Sequence, residues 1–515
     1  MTDAKHALTV LTRLAGRRTE QRAKLAAALE GRLDRLGPIA IEVALETGDP
    51  IGQVVDELII KRQDNAVARQ LRPLLPAETL ALRELAVTAT RCALADLAEA
   101  MGTSDQLEAG LLRCDLADRL SAVGDRAGAL EAAQLAVGLL DQVQPETAKS
   151  ASALARALGS LSSCLADVAR PQDALTFMQR SVEIRRKLVA DDAAGARQAL
   201  AVGLKLLAIS LSAVGNRQDA VMAASEATDL LRDLVAEDRK QNLPTLAAQL
   251  SAEGTIRIEN GEFDRGILAS GQALDLYREL ADHHPDRYAP LVAVSAHNLA
   301  NNLSLQQRFA ESLALIEESI DVFSRLAAAR HDAFAQHQAR ALNSYSNRLN
   351  DVGRSNDAVT ASESSVAIWR EISAAEPHVF EAGLAQSLHS LAYRYYEVGA
   401  TDAALATIDE ALVLRRQLEQ DNPEAHGVSV AMSIAVRASV YRKAGDMEAA
   451  CANISAAVRQ LLKLARRLGA AVRRETSEIG SRAVAWHQAL GLEPPSMELE
   501  ELRKLTGVSS YDSIS

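Results

Sequence analysis

A spacing of 46 residues governs this sequence. From Gly399, steps of 46 lead back to Gly353, Gln307, Gly261, Gly215 and Ala169, a step of 45 leads to Gly124, and one step forward gives Gly445. Seven residues before these anchors stand Ala117, Ser162, Ala208, Gly254, Ala300, Ser346, Ala392 and Ala438. Five after them stand Ala129, Ala174, Ala220, Gly266, Ser312, Ala358, Ala404 and Ala450, and seven further on Ala136, Ser181, Ala227, Ala273, Ser319, Ser365, Ala411 and Ala457. All three flanking columns contain only Gly, Ala or Ser in eight copies. A chain repeating in this way is a stack of one supersecondary unit, because no single copy can bury its apolar face alone.

The physics of the columns names the unit. The anchor closes a helix, where glycine takes the left-handed conformation at little cost. The short polar gap after it, such as NRQD after Gly215, is a turn that starts a second helix. Small residues on the facing sides let the two helices pack at the close end of the ~8–10 Å range of axial separations. The residue after the third column (Val137, Val182, Leu274, Ile320, Val366, Leu412 and Val458, with Thr228 the exception) plugs the neighbouring unit. Only 3% of residues are aromatic, so alanine and leucine must fill the core, which suits closely packed helices.

A small residue, seven to glycine, five to alanine and seven to a second alanine resembles the tetratricopeptide repeat, read here as LAYRYYEVGATDAALATIDEAL from Leu391. The usual repeat is about 34 residues. The surplus here falls after the second helix, in DHHPDRYAP, AAEPHVFEAG and QDNPEAHGVS, with Pro285, Pro377 and Pro423 in one register and His331 in the same slot. The expected consequence is an extended second helix and an enlarged connection. Such long units resemble those of kinesin light chains and many bacterial signalling proteins. The resemblance implies an all-α fold: a right-handed superhelical solenoid of antiparallel helix pairs with helical caps.

The expected organisation is an N-terminal helical cap or small helical domain over 1–75 and a half-repeat helix over 76–110. Eight repeats follow over 111–470, and a capping helix with a flexible tail over 471–515. Breaks are expected at Gly37-Pro38 and Gly48-Asp49-Pro50, and one long helix over 77–100. The basic stretch LLKLARRLGAAVRR reads as a solvated helix face. The last five residues, Tyr511-Asp512-Ser513-Ile514-Ser515, resemble, with Tyr for Phe, the F-x-S-x-x carboxyl ends of bacterial systems built around a radical-SAM peptide-modifying enzyme; a disordered polar tail is the plainer reading.

A net charge of −12 argues against sequence-independent nucleic-acid binding, which needs a basic face. The N-terminus lacks the apolar core of a signal peptide, and no apolar run approaches the ~18 residues that span a bilayer. A cytoplasmic protein without membrane insertion is therefore expected. No GxxxxGK[ST], HExxH, GxSxG or HRD-type motif is present. Cys92, Cys114, Cys164 and Cys451 lie far apart and read as small apolar residues rather than metal or disulfide partners. Of the ten histidines only His283 and His284 are adjacent, and that pair reads as solvated loop. Neither metal nor cofactor is expected, and no catalytic residue is assigned.

A stack of helix pairs offers a long concave groove instead. In tetratricopeptide arrays the first helix of each pair lines it, and positions three before, one after and four after the first small column form one stripe. That stripe reads Lys205, Ile209, Ser212; Ser251, Thr255, Ile258; His297, Asn301, Ser304; Asn343, Asn347, Asn350; His389, Tyr393, Tyr396; then Ser439 and Arg442. The resemblance places Asn301 and Asn347 where peptide-clamping members hold a ligand backbone, and asparagine can donate and accept together. Tyr393 and Tyr396 add flat apolar area with a polar tip. The cationic partners of a carboxylate clamp are out of register.

The candidate groove is thus His297, Asn301, Asn343, Asn347, Asn350, His389, Tyr393, Tyr396 and Arg442, serving a non-enzymatic scaffold for a protein or peptide. Self-association through terminal repeats is a further expected contact. Two alternatives stand: a sensor or regulatory subunit of a bacterial signalling or defence system with a separately encoded effector, and an enzyme whose site lies in residues 1–75.

Overall fold

The computed structural model describes residues 2–15, 19–47, 51–75, 82–97, 103–143, 147–193, 195–329, 331–375, 377–508 and 510–511. Among these, every regular element is helical. The chain divides into two compact units, Met1–Ser295 and Ala296–Ser515.

The first unit opens with α1 (Thr2–Ala15), α2 (Thr19–Leu29), α3 (Leu33–Thr47), α4 (Ile51–Arg62), α5 (Asn65–Leu71) and α6 (Arg83–Leu97). Leu25, Leu29, Ile51, Ile59, Leu71 and Leu85 form their shared core. The break expected at Gly37-Pro38 is absent, because α3 runs through it. Pro38 forfeits the hydrogen bond to the Asp34 carbonyl four residues back, and the Gln70 side chain donates to that oxygen at 3.3 Å instead. Gly37 leaves room for Leu71, whose Cδ2 would lie 3.0 Å from an added Cβ. The second expected break, at 48–50, and parts of the helix expected over 77–100 lie outside the described residues.

Eight helix pairs follow in the 46-residue register: α7 (Thr103–Ala122) and α8 (Arg126–Gln142), α9 (Ala148–Asp167) and α10 (Pro171–Ala190), α11 (Ala196–Ala213) and α12 (Arg217–Glu237), α13 (Arg239–Glu259) and α14 (Phe263–His283), α15 (Pro285–Leu305) and α16 (Phe309–Ala329), α17 (His331–Asp351) and α18 (Ser355–Ala375), α19 (Pro377–Val398) and α20 (Thr401–Asp421), α21 (Pro423–Lys443) and α22 (Met447–Leu468). Every anchor is left-handed, including the two that are not glycine, Ala169 at φ 59° and Gln307 at φ 57°. The turn is therefore a requirement of the repeat that these two residues meet under strain. The small columns bring backbones into contact. Ser162 and Ser346 donate to the carbonyls of Ala174 and Ala358 across their pairs, both at 2.8 Å, and Ser312 to that of Ala300 at 2.6 Å.

The second helix is extended as expected, but the connection after it is not enlarged. The connection after the second helix is a single residue between α12 and α13, α14 and α15, and α20 and α21. The dozen surplus residues lengthen both helices, to 21 each in the fourth pair. Pro285, Pro377 and Pro423 open the next first helix, the position where a missing N–H costs nothing. The helix α11 alone among those described is long and apolar enough to cross a membrane by length and composition, which qualifies the expectation that no run approaches such a length. Its Ala201, Leu204 and Ala208 are buried in the repeat core.

A fourth column completes the packing. Four residues beyond the third small column stand Leu140, Arg185, Leu231, Tyr277, Phe323, Trp369, Arg415 and Leu461, all buried. Each plugs the repeat core, and glycine often makes the room: an added Cβ on Gly110, Gly203 or Gly383 would lie 2.4–2.5 Å from Leu140, Arg185 or Trp369. In the second unit a 3-10 turn (Gly469–Val472), α23 (Arg473–Ala489) and α24 (Ser496–Thr506) cover α22, burying Ile479, Ala483, Leu499 and Leu502. Tyr511 docks there, its hydroxyl donating to the Leu499 carbonyl at 3.0 Å. The remaining tail residues, 512–515, lie outside the described residues.

Candidate functional site

First helices of successive pairs touch one another, α17 with α19 and α19 with α21, so in the second unit they form one side of the stack. Side chains on that side meet at a sequence separation of 47, one repeat plus one residue. Ser304 donates to Asp351 at 3.4 Å, Asn350 to Glu397 at 3.1 Å, and Arg394 to Asn347 Oδ1 at 3.5 Å. Lys443 Nζ donates to the Tyr396 carbonyl at 2.5 Å and lies 4.8 Å from the centre of that ring. These rungs lock adjacent repeats and leave particular atoms facing outward. Asn347 has its oxygen engaged, so its amide nitrogen remains to donate.

His297 is half-buried, with Nε2 3.2 Å from Ser344 Oγ. Burial, aided by Arg348, Arg340 and His337, pushes its imidazole down to about 4. Asn301 is half-buried on the neighbouring turn. Asn343 has a buried Oδ1 with no donor among the described residues. Asn350 is committed on both sides, to Glu397 and to Ser355, whose hydroxyl donates to its Oδ1 at 3.1 Å. His389 Nδ1 lies 3.1 Å from both the Arg415 guanidinium and Ser433 Oγ. Burial first, and Arg415 second, hold that ring down to about 3.

Tyr393 is 38% exposed, the most open aromatic of the stripe. Its ring centre lies 5.7 Å from that of Tyr396 and 5.1 Å from the Arg394 guanidinium carbon. Arg442 is exposed and stacks over Trp486 of α23 at 5.2 Å. Ser439 departs from the stripe: it is buried and donates to the Ala435 carbonyl, with α23 packed against α21.

In the first unit the stripe positions Ile209, Ser212 and Thr255 line a cleft of about 620 Å³ between α11 and α13, together with Arg217 and Glu259. Ser212 donates to Glu259 across it. Ile258, expected on the same stripe, turns toward its partner helix, where Gly266 leaves space for it.

Arginines on the same side of the first helices escaped the stripe rule. Arg348 and Arg394 stand two residues after the first small column and bind Asp351 and Glu397. Arg119 holds the same position in the first repeat, so a recurring arginine was the available signal. Cys114, Cys164 and Cys451 are buried, and desolvation pushes the first two thiols up to about 12 and about 11, away from thiolate chemistry. Among the described residues no group of three His, Cys, Asp or Glu side chains could hold a metal ion.

Residues 292–331 and 384–424 match the family model of the tetratricopeptide repeat. No curated protein matches the chain in sequence. Among solved structures, BtubC (BKLC) from P. vanneervenii is similar at 19% identity over 47% of this chain and 89% of its own, with a TM-score of 0.38. A Rap protein complexed with competence and sporulation factor is similar at 12% identity over 74% of this chain and 99% of its own, with a TM-score of 0.40. The Signal Transduction ATPase with Numerous Domains with a tetratricopeptide repeat sensor from Pyrococcus horikoshii is similar at 13% identity over 76% of this chain and 54% of its own, with a TM-score of 0.46.

Proposed function

We propose that this chain, a tetratricopeptide-repeat protein, is a non-enzymatic scaffold that captures an extended peptide or protein segment along α15, α17 and α19. The observation that carries the reading is one register. Asn301, Asn347 and Tyr393 each follow the first small column by one residue on three successive first helices. Helices packed ~8–10 Å apart present such positions about three residues apart along an extended chain, which rises ~3.3 Å per residue. Asparagine amides suit a main chain that both donates and accepts, and the open face of Tyr393 suits an apolar side chain.

The test is selection of peptides from a random display library on the full-length chain, followed by affinity measurement on Asn301→Ala combined with Asn347→Ala. A loss of about tenfold or more is expected, since each lost hydrogen bond is worth ~0.5–1.5 kcal/mol, while the melting temperature falls only slightly, through the one long Arg394 contact that Asn347 gives up. Equal affinity in the double variant rejects the groove. Affinity purification with mass spectrometry, with that variant as control, then names the natural partner.

A further inference from the structure

Arg415 is a buried cation with no carboxylate partner among the described residues. It is 4% exposed, and its guanidinium donates to the Ser429 carbonyl at 2.7 Å, Ser433 Oγ at 2.5 Å and Gln386 Oε1 at 2.7 Å, with Nη1 also 3.1 Å from His389 Nδ1. Burying a charge with only neutral acceptors is expensive, and a hydrophobic plug serves the same position in other repeats, Leu231 and Trp369 among them. The other arginine of the column, Arg185, spends its donors on backbone, the carbonyls of Ala199 and Ala155. Arg415 differs in meeting an imidazole.

The chemistry of that meeting is one-sided. Nη1 spends its two hydrogens on the closer Ser429 and Ser433 oxygens and has no lone pair to offer, so a proton on His389 Nδ1 would point at a cation. Ser433, accepting from Arg415, keeps its own hydrogen to donate to Nδ1, and the nitrogen these two groups face is the unprotonated one. A neutral imidazole with a bare Nδ1 carries its proton on Nε2. We propose that Arg415 fixes His389 as the Nε2–H tautomer, which makes this position of the groove a hydrogen-bond donor that selects a main-chain carbonyl of the bound peptide. This rests on the groove reading above for its ligand, though not for its tautomer. His297, at the equivalent position two repeats earlier, has the apolar Phe323 in the fourth column and rests on a serine hydroxyl that can donate or accept, so nothing there imposes a tautomer.

The first experiment needs no ligand. Long-range nitrogen–proton correlation on the full chain, with histidine labelled, is expected to show an unprotonated Nδ1 and a protonated Nε2 for His389, with the ring neutral throughout the range in which ordinary histidines titrate. Arg415→Met is expected to give tautomer averaging and a titration moved toward the ordinary range. A protonated Nδ1 or an averaged ring in the unmodified chain overturns the inference, and that spectrum decides even if the variant fails to fold. An unchanged His389 signal in folded Arg415→Met overturns it equally.

The second experiment uses the peptides selected for the groove. His389→Gln, which keeps a donor, is expected to hold affinity within a few-fold, and His389→Phe to lose tenfold or more. Equal binding by His389→Phe overturns the specificity role. A library that yields no binder while the tautomer is as stated rejects the scaffold reading and leaves the donor assignment standing on the spectrum.

Discussion

Gly254 and Gly266 face each other across the fourth helix pair so closely that a Cβ on either would lie 2.9 or 2.8 Å from the other's carbonyl oxygen. Elsewhere in these two columns alanine and serine suffice. Here even a methyl group has no room: the Ser270 hydroxyl and Ile258 Cγ1 stand nearest to the two positions, and the backbone beside them cannot rotate away. Gly254→Ala and Gly266→Ala are therefore each expected to lower stability by ~1–3 kcal/mol through overpacking. Urea unfolding checks this, with Ala220→Ser as a control at an equivalent column position.

The two strained anchors give the opposite sign. Ala169 and Gln307 hold positive φ without being glycine, a conformation that costs an L-residue about 1–2 kcal/mol. Replacing either by glycine gives back part of that in greater unfolded-chain freedom. Ala169→Gly and Gln307→Gly are each expected to stabilise by ~0.5–1 kcal/mol, and Gly215→Ala to destabilise by a similar amount. Differential scanning calorimetry of the three variants reads the signs directly.

Acid should loosen the second unit through two histidines. His297 and His389 are held down to about 4 and about 3, below the ordinary 6.5. The folded chain thus binds fewer protons than the unfolded one, and stability rises with pH in this window. Their contribution is complete above about pH 6.5 and is lost progressively as pH falls toward 4 and 3. The drop in melting temperature between pH 7 and 4.5 is expected to be smaller in a double variant, His297→Asn with His389→Gln. An undiminished drop contradicts the assignment.

Ion pairs in this chain should divide sharply by burial. Arg370 reaches Glu410 at 2.7 Å with both side chains about half exposed, a rung between successive second helices at a separation of 40 that Arg186 and Glu226 repeat. Arg257 instead lies at 13% side-chain exposure, 2.7 Å from Glu253 and 2.6 Å from Glu262, and donates to Ser225 at 2.8 Å. Arg370→Ala is expected to cost less than ~1 kcal/mol and to be insensitive to neighbouring rungs. Arg257→Met leaves Glu253 buried and unpaired, and is expected to cost ~3–5 kcal/mol. Denaturant melts of the two variants at one salt concentration compare them.

The repeat was legible because its steric demands admit so few residue types. Only Gly, Ala or Ser fits where backbones touch, so the register survives every other change along the chain. The fourth column was illegible for the converse reason. Leu140, Tyr277, Trp369 and Arg415 are all large and buried but share no chemistry, and a column held only to being large leaves no pattern of identity. The stripe grouped positions on one side of each first helix, because that follows from helical period, yet Ile258 and Ser439 on it are packed rather than open. It could not tell which side chains the neighbouring repeat already occupies. Asn350 is spoken for by Glu397, and His389 by Arg415, and both contacts depend on residues a repeat away or on another helix. The enlarged connection was misjudged because proline reads equally as loop or as the first residue of a helix.

Asp238 and Asn422 each close one helix and cap the next, accepting from the backbone N–H three residues on. A joint one residue long has no slack. Adding or removing a single residue beside it would turn everything downstream by about 100° around the helix axis, carrying apolar faces out to water. Such an array cannot be lengthened by degrees. Its length is quantised, and the natural unit of its evolution, and of any attempt to redesign it, is the entire helix pair.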